Sequence, residues 1–256
     1  MNPRGSIVAW CFSLVAVVVV LASARAAAGE FVINPLRVTL DRTTRATEVV
    51  VRNDDKTPLR MQVQAMTWTQ NVDGVDQYEP ADALLYFPRT MEIPPGESRI
   101  VRVGVRAAPV TREEAYRLFI EELPPASAAE EQASGTSLRI YLRVGVAVFV
   151  APAQPERKVE ITRLGMTARQ VAWTVANSGN VHIRADQVEL AAIARDGSRL
   201  FTQAFPERYF LAGATRTLRI DIAPEVCAQL ATIEASVVAE RLDLKRKLDV
   251  DPGACK

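Results

Sequence analysis

Short runs of Val, Ile, Leu, Thr and aromatic residues recur along the chain, many with apolar and polar positions alternating, and turn-forming residues separate them. A period of two marks strands with one buried face, and no long stretch carries the 3.6-residue period of a helix. The pattern predicts strands over 31–40, 47–52, 59–70, 98–106, 114–122 and 138–150, then over 158–164, 169–177, 183–195, 200–205, 215–222 and 233–239. Asn53-Asp54-Asp55, Pro94-Pro95-Gly96, Ser178-Gly179-Asn180 and Asp196-Gly197 supply turns between them. The expected class is all-β, and strands at this spacing suggest two immunoglobulin-like β-sandwich domains. The boundary falls in Ala151-Pro152-Ala153-Gln154-Pro155, where two prolines stiffen a short linker and favour a fixed angle between domains. A second interruption, from Pro124 to Gly135, is small and polar and reads as a loop.

The run after that loop is longer than a typical strand. Leu138, Ile140, Leu142, Val144, Val146 and Val148 project from one face, and Arg139, Tyr141, Arg143, Gly145, Ala147 and Phe149 from the other. Two readings fit this alternation: a central strand with one face in the core, or an edge strand whose aliphatic row is covered by a partner. Its place after a polar loop and at the end of a domain favours the second, because an exposed edge with large aliphatics is an association hazard unless something covers it.

The first residues are set apart from the fold. Arg4 precedes an apolar run from Ile7 to Ala24, followed by the small residues Ala26 and Ala28. This is the layout of a secretory signal, expected over 1–28, with an uncleaved membrane anchor as the alternative. Removal would leave domains over 29–152 and 153–256, no further stretch of spanning length, and 29 basic against 30 acidic residues. That balance gives no reason to expect nucleic acid as a partner. Export also places Cys227 and Cys255, the cysteines left once Cys11 goes with the leader, in an oxidising compartment where they are expected to pair; two free buried thiols are the other reading.

Catalytic groupings are not apparent. The chain has one histidine, His182, read as a structural or surface residue. It has no metal-ligand spacing, nucleophile elbow, nucleotide loop or redox cysteine pair. The carboxylate pairs Asp54-Asp55, Glu113-Glu114, Glu121-Glu122 and Glu130-Glu131 read as solvated turns and faces. The expectation is a protein that is not an enzyme and takes no cofactor and no metal.

In order along the chain stand Pro35-Leu36-Arg37-Val38, Val51-Arg52-Asn53-Asp54-Asp55, Phe87-Pro88-Arg89, and Ile93-Pro94-Pro95-Gly96-Glu97-Ser98-Arg99-Ile100-Val101-Arg102. Tyr116-Arg117-Leu118-Phe119, Glu122-Leu123-Pro124-Pro125 and the alternating strand closing on Pro152 complete the set. Each piece is weak alone, but in this order the chain resembles the periplasmic pilus assembly chaperones of the chaperone-usher pathway, over nearly its whole length after the leader.

The resemblance implies two immunoglobulin-like domains in a boomerang arrangement, located in the periplasm. It also implies that the last strand of the first domain is lent to an incomplete pilus or fimbrial subunit, by donor-strand complementation, before delivery to an outer-membrane usher. By that likeness Leu138, Ile140 and Leu142 insert into the subunit, with Val144 and Val146 extending the row. Family members anchor the subunit's C-terminal carboxylate with an arginine on the first strand and a lysine on the donor strand. The arginine matches Arg37, whereas Ala147 occupies the lysine's place. Arg89, Arg117 and Arg143 are candidate substitutes, with Arg89 preferred. The family's inter-domain salt bridge has Glu113 for its acidic member but Ala151 in place of its arginine. These departures resemble the archaic branch of the family. A structural pilus subunit or adhesin of the same fold is the alternative, and self-association of the free chain over its exposed edge is left open.

Overall fold

Pro35, which has no N–H to give to a sheet, divides the first expected strand in two. The computed structural model describes residues 30–106, 110–124, 140–206, 209–240 and 242–255. The segment expected to be a secretory signal, Leu138, and the expected polar loop from position 125 onward lie outside the described residues. The first sandwich contains β1 (Phe31–Asn34), β2 (Arg37–Leu40), β3 (Ala46–Asn53), β4 (Leu59–Gln70), β5 (Asp76–Pro80), β6 (Leu84–Phe87), β7 (Thr90–Ile93), β8 (Ser98–Val105), β9 (Glu114–Glu122) and β10 (Arg143–Val150). One sheet has the order β1-β3-β8-β6; the other runs β2-β10-β9-β4, with β5 and β7 sharing the last edge. The chain therefore changes sheet at Pro35, and β2 runs parallel to β10 with Ala147 opposite Arg37 and Val150 opposite Leu40.

The second sandwich is made of β11 (Val159–Thr167), β12 (Gln170–Asn177), β13 (Ile183–Ala194), β14 (Arg199–Ala204), β15 (Tyr209–Phe210), β16 (Thr215–Asp221), the short helix α1 (Pro224–Cys227), β17 (Leu230–Ala239) and β18 (Leu242–Asp249). Its sheets are β11-β12-β16 and β14-β13-β17-β18, with β15 also on β13. Strands β5, β6, β7, β15 and β18 add to those expected. They are short or rich in charge: β18 reads Leu-Asp-Leu-Lys-Arg-Lys-Leu-Asp, the composition of a protected sheet edge rather than of a core strand.

Each sandwich has its own core. Leu40, Val49, Val51, Met61, Ile93, Val101, Leu118, Ile120, Val146 and Val148 fill the first; Trp173, Phe210, Leu190, Ile233 and Val175 anchor the second. The same polar device closes a turn in both. Asn53 is buried and donates from Nδ2 to the carbonyls of Thr57 and Ile93 at 2.8 and 2.9 Å. Asn177 is also buried and donates from Nδ2 to Val181, Phe210 and Leu211 carbonyls at 2.8–3.0 Å. A buried amide survives because its hydrogen bonds are made. The expected Cys227–Cys255 disulfide is present, with Cα atoms 5.8 Å apart, and ties α1 to the 3-10 turn Pro252–Cys255.

A third apolar cluster, of Trp68, Ala147, Phe149, Leu211 and Ala214, joins the first sandwich to the β15–β16 region of the second. Consecutive side chains of β10 thus point into two different apolar environments, which is why its last five residues are all buried.

Candidate functional site

The two ends of β10 differ. Along its whole length it pairs antiparallel with β9, from Arg143 opposite Glu121 to Val150 opposite Glu114. On the other side β2 reaches only Ala147–Val150. The N–H of Ala147 donates to the Leu36 carbonyl at 3.0 Å, and that of Ala151 to Leu40 at 2.8 Å. By the two-residue period, the N–H groups of Arg143 and Gly145 point the same way, and among the described residues no strand lies there to accept them. An open ladder edge therefore covers Arg143 to Val146.

Side chains on the core-facing side of this strand grade from buried to exposed toward its start. Val146 is 0% exposed and belongs to the core of the first sandwich, and Val144 packs partly against that core. Leu142 is 41% and Ile140 64% exposed, continuing the same face past the end of the core. The sequence expected Val146 to extend the row available to a partner; the structure corrects this, because Val146 is already filling its own domain. Ile140, Leu142 and in part Val144 are the accessible members.

The opposite face of β10 looks toward the second sandwich. Phe149 lies flat on His182, with ring centroids 3.7 Å apart and planes at 14°. Tyr209 meets Trp68 edge-on at 5.2 Å, and Arg117 covers the Trp68 ring at 3.7 Å. Glu113, its side chain 4% exposed, accepts the backbone N–H of His182 at 2.8 Å and sits 2.7 Å from its Nδ1. Gln70 repeats the arrangement on the other flank, donating to the Tyr209 carbonyl at 3.0 Å and accepting from Leu211 N–H at 3.1 Å. Glu113 thus has an inter-domain partner in His182, the residue read from sequence as structural or surface. Nothing in the sequence pairs these two positions; in the structure the Asn180 carbonyl, two residues before His182, also accepts the Glu113 N–H at 2.8 Å.

Beside this joint is a cleft of about 370 Å³ lined by Arg37, Thr39, Arg157, His182, Arg184 and Glu240, among others. Arg37 and Thr39 are exposed while Val38 and Leu40 between them are buried, so β2 turns its polar face into the cleft. Ala147 faces Arg37 across the ladder and is fully buried. Arg89, the preferred companion of Arg37 from sequence, lines a separate cavity of about 600 Å³ with Tyr86, Phe87, Arg102 and Arg106. It lies over the Tyr86 ring at 5.3 Å. The structure therefore does not bring Arg89 to Arg37, because the turn after Phe87 hands the chain to the far side of the sheet, where Arg89 meets β4 through its carbonyl. Arg117 and Arg143 are committed to the Trp68 and Phe119 rings, Arg143 at 4.0 Å. No group of three or more His, Cys, Asp or Glu side chains gathers to hold a metal among the described residues.

The sequence profile described as "Pili and flagellar-assembly chaperone, PapD N-terminal domain" matches residues 30–156. No curated protein matches the chain in sequence. Among solved structures, the chain is similar to one from the CsuC–CsuE chaperone–tip adhesion subunit pre-assembly complex of archaic Csu pili of Acinetobacter baumannii, at 18% identity and TM-score 0.57, over 85% of this chain and 97% of that one. It is also similar to one from the Salmonella enterica complex of SafA pilin with the SafB chaperone, at 15% identity and TM-score 0.56, over 87% and 98% of the two chains. The E. coli chaperone DraB is a third, at 16% identity and TM-score 0.53, over 88% and 97%. These likenesses agree on a two-domain β-sandwich fold. Through residues 30–156, which hold the open edge of β10 and all of β2, the chain belongs to the family of pili and flagellar-assembly chaperones.

Proposed function

We propose that this chaperone works in the periplasm and completes an incomplete pilus subunit with the start of β10. The open edge from Arg143 to Val146 would hydrogen-bond to the subunit's unpaired strand while Leu138, Ile140, Leu142 and Val144 fill its groove. The observation that carries this reading is the juxtaposition of that unpaired edge with the exposed Ile140 and Leu142. Main-chain bonds of an added strand give affinity, and alternate side chains give fit. Arg37, exposed in the cleft next to the strand, is suited to hold the subunit's terminal carboxylate by a charge-assisted contact. The disulfide supports an oxidising compartment. Delivery of the captured subunit to an outer-membrane usher completes the proposed role.

The test is to express a subunit from a neighbouring reading frame with and without this chain. Soluble subunit in a one-to-one complex with the chain, and loss of subunit without it, is the expected result. A subunit that folds and persists equally well alone overturns the reading.

A further inference from the structure

We propose that Asn180 is a positioning residue for subunit capture: its side-chain amide holds the end of the β9–β10 pair and the linker onto one turn of the second sandwich, and so sets the angle at which that sandwich stands beside the lending edge. The consequence for capture rests on the strand-lending reading; the hold on the joint does not.

The turn that carries Asn180 is firm. The buried Asn177 amide donates to the Val181 carbonyl at 2.8 Å and accepts the Gly179 N–H at 3.1 Å, and Val181 is itself buried. The linker lies directly on this turn, since the N–H groups of Ser178 and Asn180 donate to the carbonyls of Lys158 and Glu156 at 2.8 and 3.0 Å. A Cβ on Gly179 would meet the Glu156 carbonyl oxygen and stand 2.7 Å from the Lys158 nitrogen, so a glycine is needed for the backbones to approach this closely. From that platform Asn180 Nδ2 donates to the carbonyls of Thr111 at 3.1 Å and Gln154 at 2.9 Å, while Oδ1 accepts the Glu156 N–H at 2.6 Å. Carbonyls only accept and an N–H only donates, so these partners fix which end of the amide is which. The Asn180 carbonyl takes the Glu113 N–H as well.

Thr111 and Glu113 lead into β9, and Gln154 and Glu156 follow β10; the two strands are paired at Glu114 and Val150. One residue of the second sandwich therefore closes the end of the ladder whose other end is open. Asn53 and Asn177 donate within their own domains, whereas Asn180 donates across the boundary. Prolines stiffen the linker without choosing its direction, and these bonds choose it. The angle matters because the spacing is short: Phe149, resting on His182, lies about 13 Å beyond Gly145 along the strand. A domain of about 100 residues has a radius of gyration of about 13 Å. A subunit domain seated on Arg143 to Val146 thus also meets the second sandwich, and its fit depends on where that sandwich stands.

The experiment measures residual dipolar couplings of the whole purified chain, which report whether the two sandwiches share one orientation. In the wild type the couplings of both should fit a single alignment. Two variants test the amide: Asn180→Ala, which removes it, and the isosteric Asn180→Asp, which keeps the acceptor but sets a carboxylate against two carbonyls. In each, either sandwich should still fit an alignment of its own, which shows that it is folded, while no single alignment fits both. A subunit from a neighbouring reading frame should bind both variants about tenfold more weakly. Ser178→Ala, in the same turn, loses only a 3.4 Å contact to the Lys158 carbonyl and should change neither reading. A single alignment kept by the Asn180 variants overturns the hold on the joint, as do independent alignments in the wild type. Independent alignments with undiminished capture overturn the positioning role. Ile140→Asp separates the two claims: if it captures subunit like the wild type while the Asn180 variants lose both the shared alignment and capture, Asn180 keeps its role and the strand-lending reading fails.

Discussion

Replacing Ile140 or Leu142 by Asp should separate capture from folding. In the free chain these side chains are 64% and 41% exposed and lie outside any strand, so a polar replacement should change stability by no more than about 0.5 kcal/mol, the usual range for surface sites. In a complex the same positions would be buried. Completing the burial of an Ile or Leu contributes about 1–2 kcal/mol, and an Asp in its place leaves a carboxylate in an apolar groove at a cost of about 3 kcal/mol or more. The sum, about 4–5 kcal/mol, corresponds to a loss of affinity of about a thousandfold or more. Thermal melts of the purified variants would check the first half and co-purification with a subunit the second. Variants that melt like the wild type and still capture subunit would refute the assignment of these two residues.

Val146→Ala should behave in the opposite way: it removes methyl groups from a fully buried site and is expected to cost about 1.5–2.5 kcal/mol, read by chemical denaturation, with capture unaffected once folded. Replacing Cys227 and Cys255 by Ser opens a bridge across a sequence separation of 28 and should lower stability by about 3 kcal/mol, measurable as a drop in melting temperature matched by adding reductant to the wild type. Glu113→Ala removes the acceptor of two contacts to His182 and should cost about 1.5–3 kcal/mol. Calorimetry should then resolve the two sandwiches as separate transitions, where a single coupled transition is expected of the wild type.

Most strands were legible because alternation survives wherever one face is buried: β4 and β9 have the boundaries expected from sequence. The short strands β5 to β7 were not, since β5 exposes most of its residues and carries little apolar signal. The break at Pro35 shows a different limit. A proline marks an interruption, but which sheets the two halves join depends on partners far along the chain. The same holds for the site. The alternation of β10 was plain, yet it could not say where the core ends; the structure draws that line between Val146, buried, and Leu142, exposed. Arg37 stood out by its motif and lines the cleft beside the joint, whereas Arg157 and Arg184 are ordinary arginines in sequence and join that cleft only when the second sandwich folds beside the first. The Glu113–His182 brace was invisible for the same reason.

The most direct test of strand lending is hydrogen exchange at the amides of Arg143 and Gly145, which point to the open side of β10, alongside those of Val144 and Val146, which face β9. In the free chain the first pair should exchange quickly and the second slowly; on subunit capture Arg143 and Gly145 should become protected. Capture that leaves these two amides exchanging as in the free chain would contradict the lending of this edge.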